Sequence, residues 1–275
     1  MTILQALILG IVQGITELLP ISSSAHLNVI PWICKWTEDP AFNEMFEGAF
    51  DVALHAGTLL AVTIFFFKDW INLIVSGCKK VVKKEDSLEG RMFWQLVFAT
   101  IPAGVLALVL DKISEKIIGD NFKLEMGIIA AMLMIMGVIL YIVDKKAESL
   151  VPYEDINMKQ SIVIGVSQAL AAAFPGVSRS GITMTFARLF KIDRESAAKF
   201  SFLLSTPIVA AAVLVDIKEF ALTSGVFWVG VISSFIVGLI VIKFLMDYLK
   251  KGSFKGFAIY RVVFGLFILA LVIIR

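Results

Sequence analysis

The sequence predicts an all-α polytopic membrane protein, an inverted-topology repeat of six transmembrane helices plus two re-entrant helix–loop–helix hairpins. Three observations carry that expectation. First, 59% of the 275 residues are hydrophobic and only 17% are charged, where a soluble domain carries nearer a quarter, and the mean hydropathy is +0.89. Second, apolar runs recur at roughly 3–19, 49–67, 92–110, 124–143, 161–174, 200–217, 225–246 and 256–274, most of them near the ~20 residues a spanning helix needs. Third, two of these runs are interrupted by polar residues in the same way.

The first interrupted run reads Gly10-Ile-Val-Gln13-Gly-Ile-Thr-Glu17-Leu-Leu-Pro20-Ile-Ser22-Ser23-Ser24-Ala25-His26. The second reads Gly165-Val-Ser-Gln168-Ala-Leu-Ala-Ala-Ala-Phe-Pro175-Gly176-Val-Ser178-Arg179-Ser180-Gly181. Gly10/Gly165, Gln13/Gln168, Pro20/Pro175 and Ser23/Ser178 coincide at one offset, 165 − 10 = 155. Pro20 removes a backbone donor and disfavours helix at Leu19, and Ser22-Ser23-Ser24 then reads as a turn and an N-cap. The run 161–174 breaks in the same manner at Pro175-Gly176. Non-helical backbone at bilayer depth survives only when buried in protein or lining a wet cavity, so both runs are expected to enter and leave the membrane on one side.

The other six runs are then true spans, three after each hairpin. An odd number of crossings inverts the second half, residues 161–275, relative to the first, residues 1–143, within one membrane domain. Phe50, Leu54 and Ala61 echo Phe200, Leu204 and Ala211 at a slightly different offset. The N-terminus lacks a basic stretch before its apolar run, so a cleaved signal peptide is not expected. Cys34 and Cys78 read as packing residues on opposite membrane sides, with no disulfide.

Loop charge sets the orientation. One side receives Lys68, Lys79, Lys80, Lys83, Lys84, Arg91, Lys145, Lys146, Lys191, Arg194, Lys250 and Lys251 among others, and the other side Lys35, Lys112, Lys116, Lys123, Lys218 and Arg275. The positive-inside rule makes the first side cytoplasmic and turns both termini outward. The segment Lys79–Glu89 reads as a solvated cytoplasmic loop, and the net charge of +2 says little about partners.

Intramembrane ionisable residues mark function. Gln13 and Glu17, spaced i, i+4, share a helix face that leads to three hydroxyls and His26. The second strip offers Ser178, Arg179 and Ser180 between Gly176 and Gly181, glycines that would let backbone approach a ligand closely, then Thr183. Arg179 presents a planar fork that matches phosphate oxygens, and main-chain N–H groups at the helix start after each break add to anion binding. One half thus reads as a phosphate clamp of Ser178, Arg179, Ser180 and Thr183, the other as a carboxylate–hydroxyl–imidazole set. Blander readings stand beside these: a Glu17–Arg179 structural ion pair, serines that only cap helices, and a packed His26. Asp51 and His55, also i, i+4, either line the same cavity or are satisfied polar packing.

Gln13-x-x-x-Glu17 with Pro20-Ile-Ser-Ser-Ser-Ala-His26 resembles the (Glu/Gln)-x-x-x-Glu region of bacitracin-resistance-type undecaprenyl-diphosphate phosphatases. Pro175-Gly-Val-Ser-Arg-Ser-Gly-Ile-Thr183 is similar to the same family's Pro-Gly-x-Ser-Arg-Ser-x-x-Thr motif, and the match runs over essentially the whole chain. The resemblance implies an inner-membrane enzyme that hydrolyses a C55 isoprenyl diphosphate to the monophosphate and phosphate, recycling the lipid carrier of cell-wall synthesis. It also implies a divalent cation, a site opening to the outer side and a homodimer. One departure is Ala25, where the family commonly has Gly. On this reading Arg179 grips the transferred phosphate, and Glu17, alone or with Gln13, holds Mg²⁺ or Ca²⁺ or acts as base. Ser22 or Ser23 attacks or orients water, and His26 is base, acid or nucleophile. The competing class is a lipid-phosphate transporter or flippase, because inverted repeats and broken helices are common there.

Overall fold

The computed structural model describes residues 1–46, 50–119, 121–216 and 223–274, without the side chain of Asp216. Apart from short 3₁₀ turns at Trp36–Glu38 and Tyr153–Asp155, it consists of α1 Ile3–Thr16, α2 Ser23–Ile33, α3 Pro40–Met45, α4 Asp51–Phe65, α5 Phe67–Val82, α6 Leu88–Ile118 and α7 Phe122–Lys146. There follow α8 Met158–Ser167, α9 Leu170–Ala173, α10 Arg179–Leu189, α11 Arg194–Asp216, α12 Gly225–Leu249 and α13 Lys255–Ile274. A single isolated β-bridge, Val151 with Ile192, is the only strand-like pairing among the described residues.

Among the described residues, five helices are long and apolar enough to cross a membrane, Leu88–Ile118, Phe122–Lys146, Arg194–Val215, Gly225–Leu249 and Lys255–Ile274. The run 49–67, expected to span alone, stops at Phe65 and turns by 74° into Phe67–Val82, and the pair counts as a sixth span only if taken together. The added helix is amphipathic: Leu73 and Gly77 are its buried residues, and Asp69 is tied to Lys199 at 2.7 Å. The charged run 79–89 is therefore only partly loop, with helix up to Val82 and again from Leu88. Lys218 and Arg275, used in the charge count, lie outside the described residues. Cys34 and Cys78 are free and exposed, not packed inside.

Both polar strips begin on the same device. Thr2 and Gln5 form a reciprocal capping box at the start of α1, with Gln5 N–H donating to Thr2 Oγ1 at 3.2 Å and Thr2 N–H to Gln5 Oε1 at 2.7 Å. Asn157 and Gln160 repeat it at the start of α8, at 3.0 and 2.8 Å. Each strip then folds back on itself. The N-terminal ammonium reaches the Ala41 carbonyl beyond α2 at 3.4 Å, and Leu150 N–H, before α8, donates to the Lys191 carbonyl after α10 at 3.0 Å. Small residues let these short helices enter the bundle: Gly10 and Gly14 of α1 pack on Ser233, Ser234 and Val237 of α12, and Gly165 of α8 packs on Ala99 of α6. Helix α7 packs on α13, and α4 on α11.

A buried carboxylate at the end of α7 ties together the ends of three other helices. Asp144 of α7 accepts from Arg188 Nε at 2.9 Å, Arg194 Nε at 2.8 Å and the Phe254 N–H at 3.1 Å. Arg188 is fully buried and also donates to the carbonyls of Ala147 and Ile192. The buried carboxylate thus has two guanidiniums and a backbone N–H as partners, and the buried Arg188 has a counter-ion and carbonyl acceptors, as burial of charge requires.

Candidate active site

The backbone at the two breaks carries the same unusual conformation. Ser22, the N-cap of α2, has φ 75° and ψ 101°, and Ser178, the N-cap of α10, has φ 68° and ψ 113°. Non-glycine residues avoid this region, and each such residue costs roughly 1–3 kcal/mol. Conformation thus pairs Ser22, not Ser23, with Ser178: the second break holds one more residue than the first. The hydroxyls follow suit, with Ser22 Oγ 3.1 Å from Ser24 Oγ and Ser178 Oγ 3.3 Å from Ser180 Oγ.

Positioning the turns is Arg261 of α13, a residue the reading of 256–274 as a plain span overlooked. It is fully buried and donates to the carbonyls of Pro20 at 3.1 Å, Gly176 at 3.0 Å and Val177 at 2.8 Å. An arginine in an apolar run was the available signal. The two glycines expected to admit a ligand serve this packing instead. Gly176 has φ 91°, and a Cβ there would meet the Ile129 backbone, while one on Gly181 would meet Arg261 Nη1 and Ser178. Ala25 is helical and buried, so it meets no demand for positive φ.

Between the breaks lies a cavity of about 520 Å³, lined on its polar side by Glu17, Ser22, Ser23, Ser24, Asp51, His55, Asp111, Gln168, Ser178, Arg179 and Ser180. Its apolar wall is Ala107 of α6, Ala171 and Ala172 of α9, and Ile208, Val209, Ala212 and Val213 of α11. At its centre Arg179 Nη2 donates to Glu17 Oε1, while Ser23 Oγ donates to Glu17 Oε2 at 2.5 Å. The carboxylate side chain is only 9% exposed and the arginine 21%. His55 Nδ1 donates to the Asp51 carbonyl at 3.0 Å, which leaves Nε2 facing Glu17 Oε2 at 3.8 Å, too long for a hydrogen bond. Asp51 Oδ2 lies 3.5 Å from the same ring.

Of the residues singled out from sequence, Glu17, Ser22, Ser23, Ser178, Arg179 and Ser180 meet at this cavity. Three do not. His26 turns away: Nδ1 donates to the Ser22 carbonyl at 2.7 Å, so Nε2 is the acceptor for the Tyr260 hydroxyl at 2.7 Å, and the ring stacks on Phe264 at 4.3 Å. With both nitrogens engaged it is a packing residue here, and His55 is the imidazole at the cavity. Thr183, one turn further along α10, hydrogen-bonds the Arg179 carbonyl at 2.9 Å and Ser201 Oγ of α11 at 2.6 Å and does not line the cavity. Gln13 stands behind Glu17, its Nε2 3.5 Å from the carboxylate, and does not line the cavity.

These features define a class: a polytopic membrane protein whose helix bundle encloses a charged, hydroxyl-lined cavity. The chain belongs to the family described as Bacitracin resistance protein BacA, which it matches over residues 6–267. It is similar to the undecaprenyl-diphosphatase of Pelotomaculum thermopropionicum, 45% identical over 280 residues that cover 100% of this chain and 98% of that protein. The undecaprenyl-diphosphatases of Moorella thermoacetica, at 43% identity with 100% of both chains covered, and Caldicellulosiruptor bescii, at 42% with 100% and 99% covered, are similar in the same way.

Proposed function

We propose that the chain is a membrane-embedded hydrolase that converts undecaprenyl diphosphate to undecaprenyl phosphate and inorganic phosphate, recycling the lipid carrier used in cell-wall synthesis. The observation that carries the reading is the contact of Ser23, Glu17 and Arg179 at the cavity. A nucleophile, a base that accepts its proton and a fork for phosphate oxygens stand within reach of one another.

In the resting protein Arg179 is held by Glu17. An incoming diphosphate competes for that guanidinium, and once Arg179 grips the terminal phosphate Glu17 is free to accept the Ser23 proton. Ser23 Oγ then bonds to the terminal phosphorus. The bond from that phosphorus to the bridging oxygen breaks, and its electron pair leaves with the lipid monophosphate, which takes the proton from Glu17. Water next attacks the phosphoserine, giving one proton to Glu17, which returns it to Ser23 Oγ as phosphate departs. Helix-start N–H groups near Ser178 and Ser180 add to the field that stabilises spreading charge. A divalent cation, Mg²⁺ or Ca²⁺, would neutralise diphosphate oxygens when bound. Among the described residues no cluster of three or more His, Cys, Asp or Glu could cage it, so Glu17 and the substrate's own oxygens would hold it jointly; Gln13 would orient Glu17 from behind.

The same reading includes six spans and two re-entrant hairpins, arranged as inverted halves 1–143 and 161–275. The paired capping boxes, the paired positive-φ serines and the returning ends of each strip support it. It places the protein in the inner membrane as a homodimer, with the cavity facing outward. The cavity is lined near Asp51, Asp111 and Val213, the ends of α4, α6 and α11 away from the lysine-rich loops. The test is phosphate release from a polyprenyl diphosphate by purified protein in detergent, where no compartments exist. A pure transporter or flippase would release none.

A further inference from the structure

Gln168 is 4% exposed and lines the cavity, yet neither its amide nitrogen nor its amide oxygen has a hydrogen-bond partner. Its backbone is fully used, since the N–H donates to the Gly165 carbonyl at 3.1 Å and the carbonyl accepts from Ala171 at 3.0 Å. The turn it occupies, between α8 and α9, is thereby held while the side chain is left idle. A buried amide without partners is unfavourable in the resting protein and calls for a reason. The corresponding residue of the first strip, Gln13, leans on Glu17 at 3.5 Å. At the position that matches Glu17 the second strip has Ala172, which removes any such partner for Gln168. The alanine instead forms cavity wall beside it.

We propose that Gln168 is a substrate-binding residue whose amide N–H donates to an oxygen of the diphosphate. It would act from the α8–α9 wall of the cavity while Arg179 acts from the α10 side. The inference rests on the reading of the site as a diphosphate site. The oxygen is taken to be one whose charge changes little during the reaction, so the contact is made about equally in ground and transition states. Its removal is expected to raise KM and leave kcat nearly unchanged.

The experiment compares wild type with Gln168→Leu and Gln168→Glu in detergent, using kinetics with a polyprenyl diphosphate and the thermal shift produced by pyrophosphate. Leucine removes two unpaired polar atoms and is expected to keep or raise the melting temperature. It is also expected to raise KM about 10- to 100-fold, the loss typical of a hydrogen bond to a charged group, and to abolish the pyrophosphate shift. Glutamate sets a second carboxylate against the phosphates and is expected to bind less than leucine does. A leucine variant with wild-type KM and a wild-type pyrophosphate shift would overturn the assignment, as would one whose only change is in stability. Should wild type show no turnover but a pyrophosphate shift that the leucine variant lacks, the hydrolase reading fails and the Gln168 site stands. No turnover and no shift in wild type overturns both.

Discussion

Arg261 donates to the carbonyl of Pro20 across 3.1 Å, from a helix 241 residues further along the chain. The same guanidinium holds Gly176 and Val177, so one cation fastens the residues just before both strained serines. Strain of this kind persists only where the surroundings over-determine it. Arg261 does not line the cavity, and its effect on chemistry runs through the turns. Arg261→Ala is expected to destabilise the protein by several kcal/mol, because each carbonyl left buried without a donor costs about 1–3 kcal/mol. Arg261→Lys, which cannot span the two breaks with one ammonium, is expected to fold but lose ~10-fold or more in kcat, from misplaced catalytic groups. Melting curves beside turnover separate the two effects. A lysine variant at wild-type rate would leave Arg261 a mere filler.

The two histidines invite a direct comparison. His26→Gln is expected to keep kcat within about an order of magnitude while weakening the packing against Tyr260 and Phe264. His55→Ala removes the imidazole beside Glu17 and is expected to cost ~100-fold or more, in the range of a lost general acid–base group. The reverse ranking in a turnover assay would return His26 to the site.

What was legible in the sequence follows from this pair. Glu17, Ser22 or Ser23, and Arg179 could be picked out because they sit at matched breaks in apolar runs, and such breaks must be buried in protein or line a wet cavity. Spacing cannot say which way His26 rotates. That is decided by Tyr260 and Phe264 of α13, a helix more than 200 residues further along the chain. His55 was visible through its i, i+4 partner Asp51 but lacked a motif to weigh it against. The bend after Phe65 escaped notice because Phe65, Phe66 and Phe67 continue an apolar run; the amphipathic pattern of the next helix, with Lys68, Asp69, Lys79 and Lys80, was the clue. The one-residue slip between Ser22 and Ser178 was hidden because consecutive serines align equally well in either register.

Glu17 tests the cation. Glu17→Gln keeps shape and removes the charge that accepts from Ser23 and Arg179. Turnover is expected to fall by ~1000-fold or more, in keeping with the loss of both base and ligand roles, while a fold supported by the rest of the bundle survives. Excess chelator should silence wild type, and added Mg²⁺ or Ca²⁺ should restore it. Full turnover in chelator would remove the cation from the mechanism and leave Glu17 as base alone.

Sidedness can be read by single-cysteine labelling with an impermeant reagent, in a variant lacking Cys34 and Cys78. A cysteine at Lys84, in the exposed turn between α5 and α6, is expected to label only in opened cells. One at Lys112, next in sequence to the cavity residue Asp111, is expected to label from outside. Labelling at 84 from outside intact cells would invert the topology and turn the cavity to the cytoplasm.

Arg179 separates a clamp from a counter-ion. In the resting structure it pairs with Glu17 and also reaches the Ser205 carbonyl at 3.4 Å, geometry that a purely structural ion pair would show as well. If charge balance were its whole task, Lys would serve nearly as well. A grip on equatorial phosphate oxygens needs the planar fork, which Lys lacks, and such contacts tighten as charge spreads toward the transition state, so the loss falls on kcat. Arg179→Lys is therefore expected to insert and melt normally but to lose at least ~100-fold in turnover, from the ~3 kcal/mol typical of a lost preorganised donor. Arg179→Ala should be worse, and it should also lower stability by leaving Glu17 buried without its cation. Adding Glu17→Ala to Arg179→Ala would then recover stability, because neither charge is left alone, and would recover no activity. A double variant that regained turnover would assign the pair to structure and move the phosphate elsewhere in the cavity.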